Sequence, residues 1–99
     1  MNMQNLMAQA KKMKKDIEKK QEELNNQEFF AQTELVSITM FGNKKIKSLK
    51  IDKDKITDFD DLEALEDMFS IVLNDVLKQI DDETNSKMGM YGSGLNGLI

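Results

Sequence analysis

The residues best placed to do chemistry in this chain are lysines. Between positions 11 and 20 stand Lys11, Lys12, Lys14, Lys15, Lys19 and Lys20, opposed there only by Asp16 and Glu18. An ammonium group is a compact point charge with three donors, and a run of them attracts phosphates by releasing condensed counterions. Lysine is also common on any solvated helix face, so the run is a candidate rather than a demonstrated site. A second set, Lys44, Lys45, Lys47, Lys50, Lys53 and Lys55, surrounds residues 46–51, where lysine also protects an edge strand from unwanted pairing. The chain contains no arginine, which removes the bidentate guanine contact that dominates specific base readout. Any adenine readout then falls to Gln4, Asn5 or Gln9, and weak sequence preference is expected.

Other chemistries are poorly supplied. With no Cys and no His, the chain lacks thiol nucleophiles, disulfides, the usual zinc ligands and the commonest general base. Residues 92–97 spell G-x-G-x-x-G, but that motif needs a strand before it and a helix after it, and here a helical pattern precedes it. Asp52, Asp54 and Glu63 match three positions of a calcium loop, yet Ile56 and Thr57 occupy its fifth position and its glycine position. The acids between Asp58 and Asp67 are explained by helix capping and dipole complementarity without a magnesium ion. Met3, Met7 and Met13 fit packing better than a promiscuous binding surface. No enzyme activity, cofactor, metal or small-molecule substrate is expected.

The elements that must position the lysines are legible from periodicity. From Asn2 to about Asn26 the apolar residues Met3, Leu6, Ala10, Met13, Ile17 and Leu24 follow a heptad in which Met3 is position a, until Lys20 interrupts it. In that frame Lys11, Lys12, Lys15 and Lys19 take positions b, c, f and c, opposite the seam. Residues 35–41 alternate as a strand with Val36, Ile38 and Met40 on one face and Leu35 and Phe41 on the other. Gly42-Asn43-Lys44 is a turn, Ile46 to Ile51 returns, and Phe29-Phe30-Ala31 adds a candidate first strand. Thr57 or Asp58 caps a second helix, whose broad apolar face runs from Leu62 through Leu65, Phe69, Val72, Leu73, Val76 and Leu77 to Ile80. It ends near Met88 with Gly89 as cap.

These elements predict an α+β domain over residues 1–88, with two or three antiparallel strands between helices, and a flexible Gly-rich tail over 89–99. One helix covers one sheet face, so Leu35, Phe41 and the narrow seam call for a partner surface, which a homodimer supplies most simply. The net charge of −4 hides a polarity: residues 1–55 hold 12 Lys and 8 acids, residues 56–99 hold 2 Lys and 10 acids. The missing cysteines and the lack of a long apolar run predict a cytoplasmic protein without a membrane span.

Several segments together carry a family resemblance. Met3-Gln4-Asn5-Leu6-Met7-Ala8-Gln9-Ala10-Lys11-Lys12-Met13, Leu49-Lys50-Ile51-Asp52, Leu65-Glu66-Asp67-Met68, Asn74-Asp75, Lys87-Met88-Gly89 and the Gly-Leu tail occur in the order seen in the YbaB/EbfC family of bacterial nucleoid-associated proteins, which this chain resembles along nearly its whole length. The resemblance implies an α-β-β-β-α subunit and a tweezer-like homodimer whose projecting helical arms grip duplex DNA, in nucleoid organisation or gene regulation. Lys11, Lys12, Lys15 and Lys19 are then the candidate DNA-binding residues. Where the family commonly has a Gly-rich stretch before its main strand, this chain has Ala31-Gln32-Thr33-Glu34, so a different local backbone is expected. The alternative reading is a helical scaffold or chaperone-like module that does not depend on DNA.

Overall fold

The computed structural model describes residues 2–89. Helix α1 spans Met3–Asn26, strands β1, β2 and β3 span Glu28–Gln32, Val36–Phe41 and Ile46–Ile51, and helix α2 spans Phe59–Met88. The expected α-β-β-β-α order is therefore present, with the strands antiparallel in the order β1-β2-β3. Phe29-Phe30-Ala31 is the centre of a full strand. A short 3-10 turn over Lys53–Lys55, which periodicity does not show, leads into α2. Of the tail expected over 89–99, Gly89 closes α2 and the rest lies outside the described residues.

Each helix begins where a side chain can take up a backbone donor left free at its first turn. Asn2 is extended and its Oδ1 accepts from the Gln4 N–H at 2.8 Å. Asp58 caps α2: its Oδ1 accepts from the Asp61 N–H at 3.2 Å, and Asp61 Oδ2 accepts in return from the Asp58 N–H at 3.1 Å. Thr57, the other candidate cap, instead donates both its N–H and its hydroxyl to Asp61. At the other end Gly89 closes α2 in a right-handed conformation, donating to the Asn85 carbonyl.

The core forms where α2 lies across the sheet. Val72, Val76 and Ile80, one turn apart on α2, meet Phe29 and Ala31 of β1 and Val36, Ile38 and Met40 of β2. Full burial of each large aliphatic side chain contributes about 1.5–3 kcal/mol. Leu35, expected beside Phe41 on the open side, is buried in this core. It precedes β2 in a bend, where strand alternation does not yet hold, and the Asp52 N–H donates to its carbonyl at 2.9 Å. The glycine-free Ala31–Glu34 stretch distorts nothing: β1 and β2 stay in unbroken register from Glu28↔Phe41 to Gln32↔Ser37.

The irregularity lies in β3 instead. Thr39 pairs with Ser48, but Met40 pairs with Ile46, leaving Lys47 as an extra bulged residue. That bulge brings Ile46 to the same face as Leu49 and Ile51, which even alternation would forbid. All three then share the core side of the sheet. Yet α2 packs over β1 and β2 and leaves β3 largely uncovered, so Ile46 and Leu49 stay exposed.

The β2–β3 turn also holds α1. The Phe41 carbonyl accepts from the Lys44 N–H at 2.8 Å, and Lys44 sits in the left-handed region at φ 70°, as the third residue of a three-residue hairpin loop commonly does. A side chain there costs about 1 kcal/mol relative to glycine. Gly42 meets a different constraint: an added Cβ would lie 1.8 Å from the Leu24 carbonyl oxygen. Two outcomes follow, both readable by urea denaturation: Lys44→Gly raises stability by about 1 kcal/mol, and Gly42→Ala lowers it because the end of α1 must shift.

Candidate nucleic-acid interface

The first helix is an arm. Its last turn is anchored by Leu24, which is almost fully buried in the core, whereas residues 3–16 are all exposed. The radius of gyration of 19.6 Å and the extents of 72 × 21 × 15 Å exceed what a compact domain of this length adopts, about 13 Å in radius. The long dimension also exceeds the ~45 Å length of α2. Helix α1 therefore carries the molecule well beyond its sheet.

On this arm Lys11, Lys12, Lys15 and Lys19 are exposed. At 3.6 residues per turn they fall within about 100° of arc, and Lys11, Lys15 and Lys19 rise about 6 Å apart. None of the four forms an ion pair with another described residue. Lys14, on the shoulder of the stripe, lies 4.0 Å from Glu18, and Lys20 is half-buried near the anchored end. The structure thus brings the four candidates together as one open basic stripe.

The second set of lysines divides: Lys45, Lys50 and Lys53 are exposed without an ion pair to a described residue, while the other three are paired. Lys44 faces Asp81 at 3.6 Å, Lys55 faces Asp52 at 3.6 Å, and Lys47 is hydrogen-bonded to Glu28 across the sheet. Such exposed pairs contribute little stability, but each occupies an ammonium that a phosphate would otherwise engage. The Lys47 and Lys44 pairings had no signal in the sequence, because their carboxylates on β1 and α2 lie 19 and 37 residues away in the chain, whereas Asp52 is only three residues from Lys55.

The carboxylates gather elsewhere. Asp81 sits beside Lys44, in the turn that also holds the end of α1, and Asp67 lies 14 residues back along α2, about 21 Å away. Asp58, Asp60, Asp61, Glu63, Glu66 and Asp67 are therefore well removed from the arm's anchor, whereas Asp81, Asp82 and Glu83 lie beside it, so only part of the charge polarity of the sequence becomes a polarity in space. Hydrogen bonds from the Thr57 and Asp58 N–H groups, then from the Thr57 hydroxyl, hold Asp61 below its ordinary carboxylate pKa of 3.8 against a small opposing effect of burial.

Fold and surface together describe a small α+β subunit that presents a cationic helix. Comparison with known proteins assigns it: residues 1–95 match the YbaB/EbfC DNA-binding family, and the chain belongs to that family. It is 42% identical over 93 residues to a nucleoid-associated protein of Streptococcus agalactiae, covering 92% of this chain and 93% of that one. A nucleoid-associated protein of Lactobacillus acidophilus is also 42% identical, over 96% of this chain and 86% of its own. The crystal structure of an uncharacterised Helicobacter pylori protein shares the fold, with a TM-score of 0.68 at 23% identity over 93% of this chain and 99% of that one.

The Asp61 contacts generate a pH prediction. Because the folded state lowers this pKa, its contribution is complete above the unfolded value near 3.8 and is lost as pH falls through the lower folded value. Thermal melts between pH 5 and 2 should show wild type losing more stability than Asp61→Asn, which has no carboxylate to protonate there.

Proposed function

We propose that the protein is a nucleoid-associated, cytoplasmic DNA-binding protein that holds duplex DNA as a homodimer, with weak sequence preference, through Lys11, Lys12, Lys15 and Lys19. The observation that carries this reading is the set of four exposed, unpaired lysines on a projecting helix in a chain of a DNA-binding family. The stripe from Lys11 to Lys19 spans about 12 Å of helix, the rise of three to four base pairs. Its donors are point charges, so they position the backbone without reading bases. The nucleoid assignment draws on the relatives, which are named nucleoid-associated proteins.

The homodimer rests on apolar surface that the subunit does not cover. Ile46 and Leu49 are 51% and 44% exposed on the uncovered side of β3, and Phe59 and Leu62, at the start of α2, are 86% and 42% exposed. Leu49 lies near the end of β3 that leads to α2, whereas Ile46 lies at the other end, beside the Gly42–Lys44 turn. Patches of this kind mark interaction surfaces, and a single patch that meets its own copy closes a two-fold dimer. An arm from each subunit then flanks one duplex.

Two measurements test the reading. Duplex binding should weaken linearly in log salt, by about 0.9 per phosphate contacted, and Lys15→Ala should lower both affinity and slope on any duplex sequence. A folded dimer that fails to bind duplex DNA at low salt contradicts it. Leu49→Glu, at an exposed position, should shift the light-scattering mass from dimer to monomer with the circular dichroism spectrum unchanged.

A further inference from the structure

The arm has a second face that DNA contact leaves unused. Met3, Leu6, Met7 and Met13 are 78%, 45%, 58% and 55% exposed, Ala10 is exposed, and Ile17 is half-buried. Met3, Leu6, Ala10, Met13 and Ile17 form one stripe within about 80° of arc, centred opposite the lysines. Up to Met13, no described element covers it. We propose that this seam is a homotypic contact, in which the α1 arm of one copy packs along the α1 arm of another through its a and d positions and links protein copies laterally.

Three observations select a second arm as the occupant. The stripe keeps heptad spacing, which suits a single helix partner, and it lacks the broad apolar face and aromatic residues with which helices bury into a lipid surface. The flanking e and g positions over this stretch are Met7, Gln9, Lys14 and Asp16, one charge of each sign, so two copies meet without net repulsion. The strongly basic b, c and f positions point away from the contact, so a copy engaged through its seam keeps its Lys11, Lys12, Lys15 and Lys19 stripe open.

The contact is separate from the β3–α2 face assigned to the dimer. With little more than two heptads it is weak for an isolated pair, since short helices gain little from a few layers. Copies held side by side raise one another's effective concentration. An array on DNA is therefore where the linkage is strongest, and its consequence there is bridging or lateral growth along the duplex.

The chain has no cysteine, so an introduced one reports on its position alone. Leu6→Cys and Ala10→Cys, singly and as an equimolar mixture to cover both helix orientations, are oxidised without DNA, with Lys12→Cys on the basic face as control. Disulfide-linked copies should form about ten-fold faster from the seam variants than from the control. The double variant Leu6→Gln/Met13→Gln should lose the multi-dimer assemblies that wild type forms on a long duplex in sedimentation, while keeping the wild-type spectrum and its affinity for a duplex that holds one dimer. Equal rates at seam and control overturn the proposal, as does protection of seam cysteines from maleimide only by phosphatidylglycerol vesicles, which assigns the seam to lipid. Seam linkage in a protein that does not bind DNA contradicts the DNA-binding reading and leaves the seam contact standing.

Discussion

The arrangement depends on how one helix end is held. Leu24 inserts into the core formed by α2 and the sheet, the Gly42 N–H donates to the Gln27 carbonyl at 2.9 Å, and the absence of a side chain at Gly42 lets the Leu24 carbonyl approach. These contacts lie at the last turn of α1 and the residue after it. Residues 3–16 project beyond them, so the direction of the basic arm is set by this turn in the sheet together with the packing of α1 on α2. A small disturbance at Gly42 is magnified along some 30 Å of helix.

That anchoring explains how an acidic protein can present a cationic surface. The net charge of −4 does not describe what an approaching polyanion meets, because fields act locally within a Debye length of about 8 Å at physiological salt. The hairpin lysines at the base of the arm are partly answered by Asp81, Glu28 and Asp52, while the acids at the start of α2 serve its capping box and its dipole. The stripe on α1 is left without an acid partner. Charge that is unremarkable in total becomes directional through the fold.

Much of this was legible in the sequence, where local physics decides. Helix periodicity placed α1 and α2, with Gly89 as the closing cap of α2 and its opening cap narrowed to Thr57 or Asp58, and alternation placed β2 and β3, because these patterns depend on neighbours within a few residues. Tertiary contacts decided the rest. Leu35 joined the core because the bend before β2 breaks the alternation that assigned it to the open side. Ile46 and Leu49, an odd three residues apart, share a face only because Lys47 bulges, and no local signal marks that bulge. That Lys44 and Lys47 are paired depended on carboxylates distant in the chain. Ala31–Glu34 folds into a regular strand end and bend without a left-handed residue, a backbone that needs no glycine.

The central claim is that the open lysines of α1, rather than the paired lysines of the hairpin, meet the phosphates. Amine acetylation footprinting with and without duplex DNA, read at each lysine by mass spectrometry, tests it most directly. Contact through α1 predicts protection of Lys11, Lys12, Lys15 and Lys19, with Lys44, Lys47 and Lys55 reacting as they do in the free protein. Protection centred on the hairpin lysines, with the α1 stripe reacting freely, contradicts it.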